Sequence, residues 1–132
     1  MPKANCVFVV DDDPSARNGL ARLLRTAGHD ARDFASADEF LEALGTEECG
    51  CVVLDARMPG ISGEELRAEL KERCTGLSII VVTADDDLET RREAEEMEAV
   101  GFFRKPVDGT ALLDAIDWTL RPSSTNSNQE KI

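Results

Sequence analysis

The stretch Cys6-Val-Phe-Val-Val10-Asp11-Asp-Asp13-Pro14 holds the architecture in miniature. An apolar run with no polar alternation describes a short strand covered on both faces, as in a parallel sheet. Acids end the run, and a helical pattern opens at Pro14. Two more runs of the same kind follow, Cys51-Val-Val-Leu54 and Ile79-Ile-Val-Val82, with a shorter one at Phe102-Phe103. Asp30-Ala-Arg-Asp-Phe34 is more polar and suits an edge strand.

Helical patterns lie between these strands. Pro14 to Ala27 carries Leu20, Leu23, Leu24 and Ala27 on one face and closes at Gly28. Ser36-Ala-Asp-Glu39 is a capping box opening a helix through Leu44, with Gly45 as its stop. Ser62-Gly-Glu-Glu65 is a second box, opening a helix to about Arg73. A very polar helix is predicted from Asp86 to about Ala99, and Asp108 caps a last one in which Leu112, Leu113 and Ile116 share a face. This alternation predicts a doubly wound α/β sandwich, a five-stranded parallel sheet with helices on both sides. Pro122 to Gln129 has no apolar periodicity and reads as a flexible linker or tail, so the domain is placed at residues 4–121 and the tail at 122–132.

Composition sets outer limits. A chain of 132 residues fits one domain, and 42% hydrophobic with 32% charged residues is ordinary for a soluble globular protein. No apolar run approaches the length of a membrane span, and the N-terminus lacks the regions of a signal peptide, so a cytoplasmic placement with no membrane partner is expected. The net charge of −12 argues against direct binding of nucleic acid by this segment, since phosphate binding needs a basic face. Part of the acid excess sits in two clusters, Asp11 to Asp13 and Asp85 to Asp87. Cys6 and Cys51 lie in or beside apolar runs, where thiols pack as small hydrophobes. The Cys49-Gly-Cys51 pair has no second pair, and His29 is the one histidine, so reduced structural thiols are the better reading.

The chemistry follows from where the acids stand. Asp11 and Asp12 follow the first strand and Asp55 follows the third. Ligands of open α/β sheets bind beyond the carboxyl ends of the strands, where the winding reverses. With a strand order of 2-1-3-4-5, the first and third strands are neighbours there, and the carboxylates converge. Such charges repel, and a hard divalent cation resolves the conflict. Mg²⁺ takes oxygen ligands, keeps several waters and is typically held by carboxylates together with a phosphate; Mn²⁺ is an acceptable substitute. Thr83, ending the fourth strand, and Lys105, following the fifth, supply a hydroxyl and a cation at the same edge. Both groups suit phosphoryl oxygens.

As a set, Val9-Val-Asp-Asp-Asp13, Val53-Leu-Asp-Ala-Arg-Met-Pro-Gly-Ile-Ser-Gly63, Val81-Val-Thr-Ala84 and Phe103-Arg-Lys-Pro106 resemble the receiver domain of two-component response regulators. The Arg57 to Gly63 stretch is most similar to receivers whose output is a LuxR-type helix-turn-helix. The resemblance implies that Asp55 accepts a phosphoryl group from a histidine kinase or phosphotransfer protein. It also implies that Asp12 binds Mg²⁺ directly, Asp11 acts mainly through water, and the Arg57 backbone carbonyl is a further ligand. Lys105 is then a phosphoryl contact, Thr83 swings toward the attached group, and Phe102 is the aromatic that turns inward behind it. Pro106 is expected to follow a cis bond, and the readout face is the fourth helix, fifth strand and fifth helix, with a homodimer expected through it.

Arg57 and Asp85 stand two positions beyond Asp55 and Thr83, where they flank the acyl phosphate in this family and are candidates for tuning its lifetime. Glu98 departs from the pattern, because related receivers place a glycine near that helix end. Phe8, Phe34, Phe40 and Trp118 read as core or interface residues, and Met58 as packing. Enzymes with the same aspartyl-phosphate chemistry, such as haloacid-dehalogenase-like phosphatases, need a second acid two residues after the nucleophile, where this chain has Arg57. A regulatory phosphoacceptor is therefore expected, not an enzyme.

Overall fold

The structure, a computed structural model, describes residues 6–44, 49–56, 61–73, 76–85 and 87–120. The strands are β1 (Cys6–Val10), β2 (Asp30–Phe34), β3 (Cys49–Asp55), β4 (Gly76–Thr83) and β5 (Gly101–Arg104). The helices are α1 (Pro14–Thr26), α2 (Ala37–Ala43), α3 (Gly63–Arg73), α4 (Leu88–Glu96) and α5 (Gly109–Thr119). All strand pairs are parallel and the sheet runs β2-β1-β3-β4-β5.

Two buried clusters, one on each face of the sheet, account for the unbroken apolar runs. Phe8, Val10, Val52, Leu54 and Val81 point to one face, under Phe40 of α2, Leu66 and Leu70 of α3 and Ala94 of α4. Val7, Val9, Val53, Ile80 and Val82 point to the other, under Leu20 and Leu24 of α1 and Leu112 and Ile116 of α5. Apolar side chains cover both faces of the central strands, so alternation is absent from their buried runs although each strand keeps its twofold period. Phe8, Phe34 and Phe40 pack as mutually tilted rings at centroid separations of 5.3 to 6.4 Å, while Trp118 is 56% exposed on α5.

The helix ends follow local chemistry. Ser62 and Glu65 make a reciprocal box: the Glu65 N–H donates to the Ser62 hydroxyl at 3.1 Å and the Ser62 N–H to the Glu65 carboxylate at 3.0 Å. At α2 the Glu39 N–H donates to Ser36 Oγ, but the Glu39 carboxylate reaches back to the Ala35 amide. Three sequence expectations change. Helix α4 begins at Leu88, capped by Asp87, and ends at Glu96 rather than near Ala99. Strands β3 and β4 start earlier than their apolar runs, because Cys49 pairs with Gly76 and extends both. On α1, Ala27 is exposed at the C-cap and Ala21 takes the buried position instead.

Two backbone positions bear on the packing of the strands and helices. Gly50 has φ of 139°, and a Cβ there would lie 2.1 Å from the Cys6 carbonyl oxygen, so only glycine lets β3 approach β1. Glu98 occupies the left-handed region, with φ of 59°, at the glycine-like position after α4. A left-handed non-glycine residue costs about 1–2 kcal/mol. The Glu98 carboxylate pairs with Arg67 of α3. The chain keeps the local path without the glycine.

Candidate functional site

Because β1 lies next to β3 with Val10 opposite Leu54, Asp11 and Asp55 leave the sheet side by side at its carboxyl edge. Asp12 joins them, and one carboxylate oxygen from each of the three lies within 4.8 Å of the others. Asp11 is fully buried, Asp55 is nearly so, and Asp12 is exposed.

Asp11 is held at every polar atom. Its N–H donates to the Phe34 carbonyl at 3.1 Å, and its own carbonyl accepts from Arg17 Nη1 at 2.8 Å. Oδ1 accepts from the Asp13 N–H at 3.0 Å, and Oδ2 accepts from Lys105 Nζ at 2.9 Å. Lys105 Nζ also donates to Asp55 Oδ2 at 3.3 Å, so one ammonium bridges two of the three acids. Burial alone would lower the lysine pKa. The Asp11 hydrogen bond and the charges of Asp55 and Asp11 outweigh it and hold Lys105 above its ordinary value, fully cationic at neutral pH.

Three carboxylates against one ammonium leave a formal surplus of negative charge in a confined space. The donors are all oxygen, and exposed Asp12 leaves an open approach, which is the chemistry of a hard divalent cation. Asp11, Asp12 and Asp55 are the residues that fit such an ion.

Thr83 ends β4, fully buried, and its Oγ1 accepts from the Asp85 N–H at 3.1 Å. Its carbonyl accepts from the Lys105 N–H at 2.7 Å, which ties the threonine to the lysine through the backbone. The Lys105–Pro106 peptide is cis. Phe102 sits partly buried on β5 against the α2–α3–α4 side of the core, with the Arg91 guanidinium of α4 5.0 Å from its ring centroid. Asp85 is exposed. Arg57 lies outside the described residues, and with it the carbonyl ligand and the pairing with Asp85.

Asp11, Asp12, Asp55, Thr83 and Lys105 therefore come from four strand ends to one edge. Arg17 was not anticipated. Its only trace in the sequence is a cation one turn into the helix that follows the acids.

The chain matches the family model for the response regulator receiver domain over residues 7–117. It belongs to that family. The receiver is 39% identical to the transcriptional regulatory protein FixJ of Azorhizobium caulinodans, over 98% of this chain and 62% of that protein. It is 42% identical to the transcriptional regulatory protein TdiR of Thauera aromatica, over 89% of this chain and 52% of that protein. Among solved structures, the response regulator StyR superposes with a TM-score of 0.79 at 42% identity, covering 96% of this chain and 65% of that one. The receiver thus spans between half and two thirds of the length of these relatives. No described helix is long and apolar enough to cross a membrane.

Proposed function

We propose that this receiver is a phosphoacceptor switch in which an Asp55 carboxylate oxygen attacks the phosphorus of a phosphohistidine on a kinase or phosphotransfer protein. The O–P bond of an acyl phosphate forms, the P–N bond breaks, and the imidazole leaves and takes a proton. The observation that carries the reading is the Lys105 bridge between Asp11 and Asp55 inside the three-carboxylate cluster. Such transfer asks little covalent chemistry of the protein, since positioning and charge neutralisation supply most of the rate.

Mg²⁺, held by Asp12, Asp11 and Asp55, supplies charge neutralisation on the phosphoryl oxygens when bound. The chain's own groups do the rest. Asp55, held at the sheet edge, presents an oxygen to the incoming phosphorus. Lys105 loses its bond to Asp55 Oδ2 as the acyl phosphate forms and turns the same ammonium to a phosphoryl oxygen. The Thr83 hydroxyl gains a partner only in the product, so phosphorylation shifts a two-state equilibrium, with Phe102 following it inward. An apolar cleft of about 290 Å³ beside Lys105, lined by Leu20, Leu23, Pro106 and Val107, offers the phosphodonor a seat.

The output face is α4, β5 and α5. Leu88, Val100 and Trp118 are exposed there and suit a homodimer or an adjoining domain. The length of the relatives and their names favour a role in transcription, with a DNA-binding output outside this chain. Apart from its own phosphorylation and dephosphorylation, the receiver is proposed to catalyse nothing.

Incubation with Mg²⁺ and acetyl phosphate tests the reading, with Asp55→Asn as the control. Labelling that depends on Asp55 supports it. Continuous turnover of phosphomonoesters would instead point to an enzyme, and absence of labelling to a degenerate interaction module.

A further inference from the structure

The acidic cluster depends on how the chain leaves β1. Between Asp11 and Asp12 lies a single peptide plane, and its carbonyl is the Asp11 oxygen that accepts from Arg17 Nη1 at 2.8 Å. A peptide is rigid and planar, so pinning that carbonyl also fixes the N and Cα of Asp12. Asp12 is the exposed member of the cluster, and among the described residues no hydrogen bond or ion pair to its side chain is seen.

Arg17 is itself anchored. Its Nε lies 3.5 Å from Asp33 Oδ2, at the end of β2, and its side chain is only 18% exposed. Asp33 is braced in turn by Arg25 Nη2 at 3.4 Å, and the same nitrogen donates to the Ala31 carbonyl at 2.8 Å. The planar guanidinium is thus held on both sides, between a β2 carboxylate and the β1 exit. A lysine cannot make both contacts with this geometry, because it carries a point charge and no fork.

We propose that Arg17 is a positioning residue for the metal site, which it serves by fixing the Asp11–Asp12 peptide so that the Asp12 carboxylate converges on Asp11 and Asp55. The inference rests on the metal-assisted phosphoacceptor reading above. Its direction distinguishes it from simple electrostatics. A cation this close to the site repels a divalent ion, so by charge alone the removal of Arg17 tightens Mg²⁺ binding. Positioning predicts the reverse.

The test is titration of the wild-type chain, Arg17→Lys and Arg17→Ala with MgCl₂ by calorimetry at constant ionic strength. Far-UV circular dichroism and urea midpoints identify the variants that are folded. Amide exchange at Asp13 is measured without metal, because that N–H is bonded to Asp11 Oδ1. Arg17→Lys keeps the charge and loses the fork; its Mg²⁺ dissociation constant is expected to rise about tenfold, as for other groups that orient metal ligands. Arg17→Ala is expected to rise at least as far, and Asp13 exchange to accelerate in both.

Wild-type affinity in Arg17→Lys, or tighter binding in Arg17→Ala, overturns the proposal. If Arg17→Ala does not fold, Arg17→Lys decides. Asp33→Asn, which removes the anchor but leaves Arg17, should weaken binding in the same direction and by less; unchanged binding there also counts against the proposal. Absence of Mg²⁺ binding by the wild-type chain would remove the metal reading itself, and this inference with it.

Discussion

Replacing Lys105 with methionine removes a cation that serves two carboxylates while keeping most of the stem's bulk. The ammonium lies 2.9 Å from Asp11 and 3.3 Å from Asp55, and the side chains are 22%, 1% and 10% exposed. At an effective dielectric constant of about 20, each contact is worth about 5 kcal/mol of direct attraction. Desolvation of the charges cancels much of that, and breaking a fully buried pair costs about 3–5 kcal/mol in practice. Partial exposure of the lysine reduces the expected loss to about 2 kcal/mol. The loss is expected in metal-free buffer at neutral pH, as a lower urea midpoint with an unchanged slope.

Mg²⁺ sharpens the test, because a cluster that has lost its ammonium attracts the metal more strongly. Added Mg²⁺ is therefore expected to raise the midpoint of Lys105→Met more than that of the wild type. The pH dependence has a definite sign. The pKa of Lys105 is raised in the folded state, so its contribution is complete below the ordinary lysine value. It is lost as pH rises through the folded value. On the alkaline side, the stability gap between wild type and Lys105→Met should thus close only at strongly alkaline pH. A variant as stable as wild type without metal, or one that gains no more from Mg²⁺, refutes the reasoning.

Gly50→Ala forces a Cβ to within 2.1 Å of the Cys6 carbonyl oxygen and should part β1 from β3. A loss of about 3 kcal/mol or more is expected, and a melting temperature lower by about 10 °C; an unchanged melting curve would count against the close approach. Burial pushes the Cys51 thiol from 9.0 up to about 12, against the smaller opposing effect of its Thr119 hydrogen bond. Position-resolved mass spectrometry should find Cys51 unalkylated in the folded protein at about pH 8 and labelled in denaturant. Because the folded value is raised, the stability from keeping this thiol neutral is complete below pH 9.0 and is lost as pH climbs toward about 12.

Much of the site could be read in the chain because its residues are tied to strand ends. Asp11, Asp55, Thr83 and Lys105 each close or follow an apolar run, and parallel strands deliver their carboxyl ends to one edge. The box at Ser62 and the cap at Asp108 could be read for a similar reason, since capping is a contact between near neighbours in sequence. Arg17 was not legible. Its value comes from the Asp11 carbonyl and from Asp33 on another strand, and no spacing rule links the three. The extra length of β3 and β4 was hidden too, because Cys49 and Gly76 become strand only by pairing with each other.

By itself, then, the sequence determined the alternation of strands and helices, the two-faced burial of the sheet and the set of acids at its edge, because these depend on local periodicity and composition. The tertiary structure alone decided that Lys105 bridges Asp11 and Asp55, that Arg17 grips the peptide between Asp11 and Asp12, and that Glu98 holds a left-handed turn against Arg67. Each of these contacts joins residues from different elements. Their energies depend on distances and burial that exist only once the sheet is assembled.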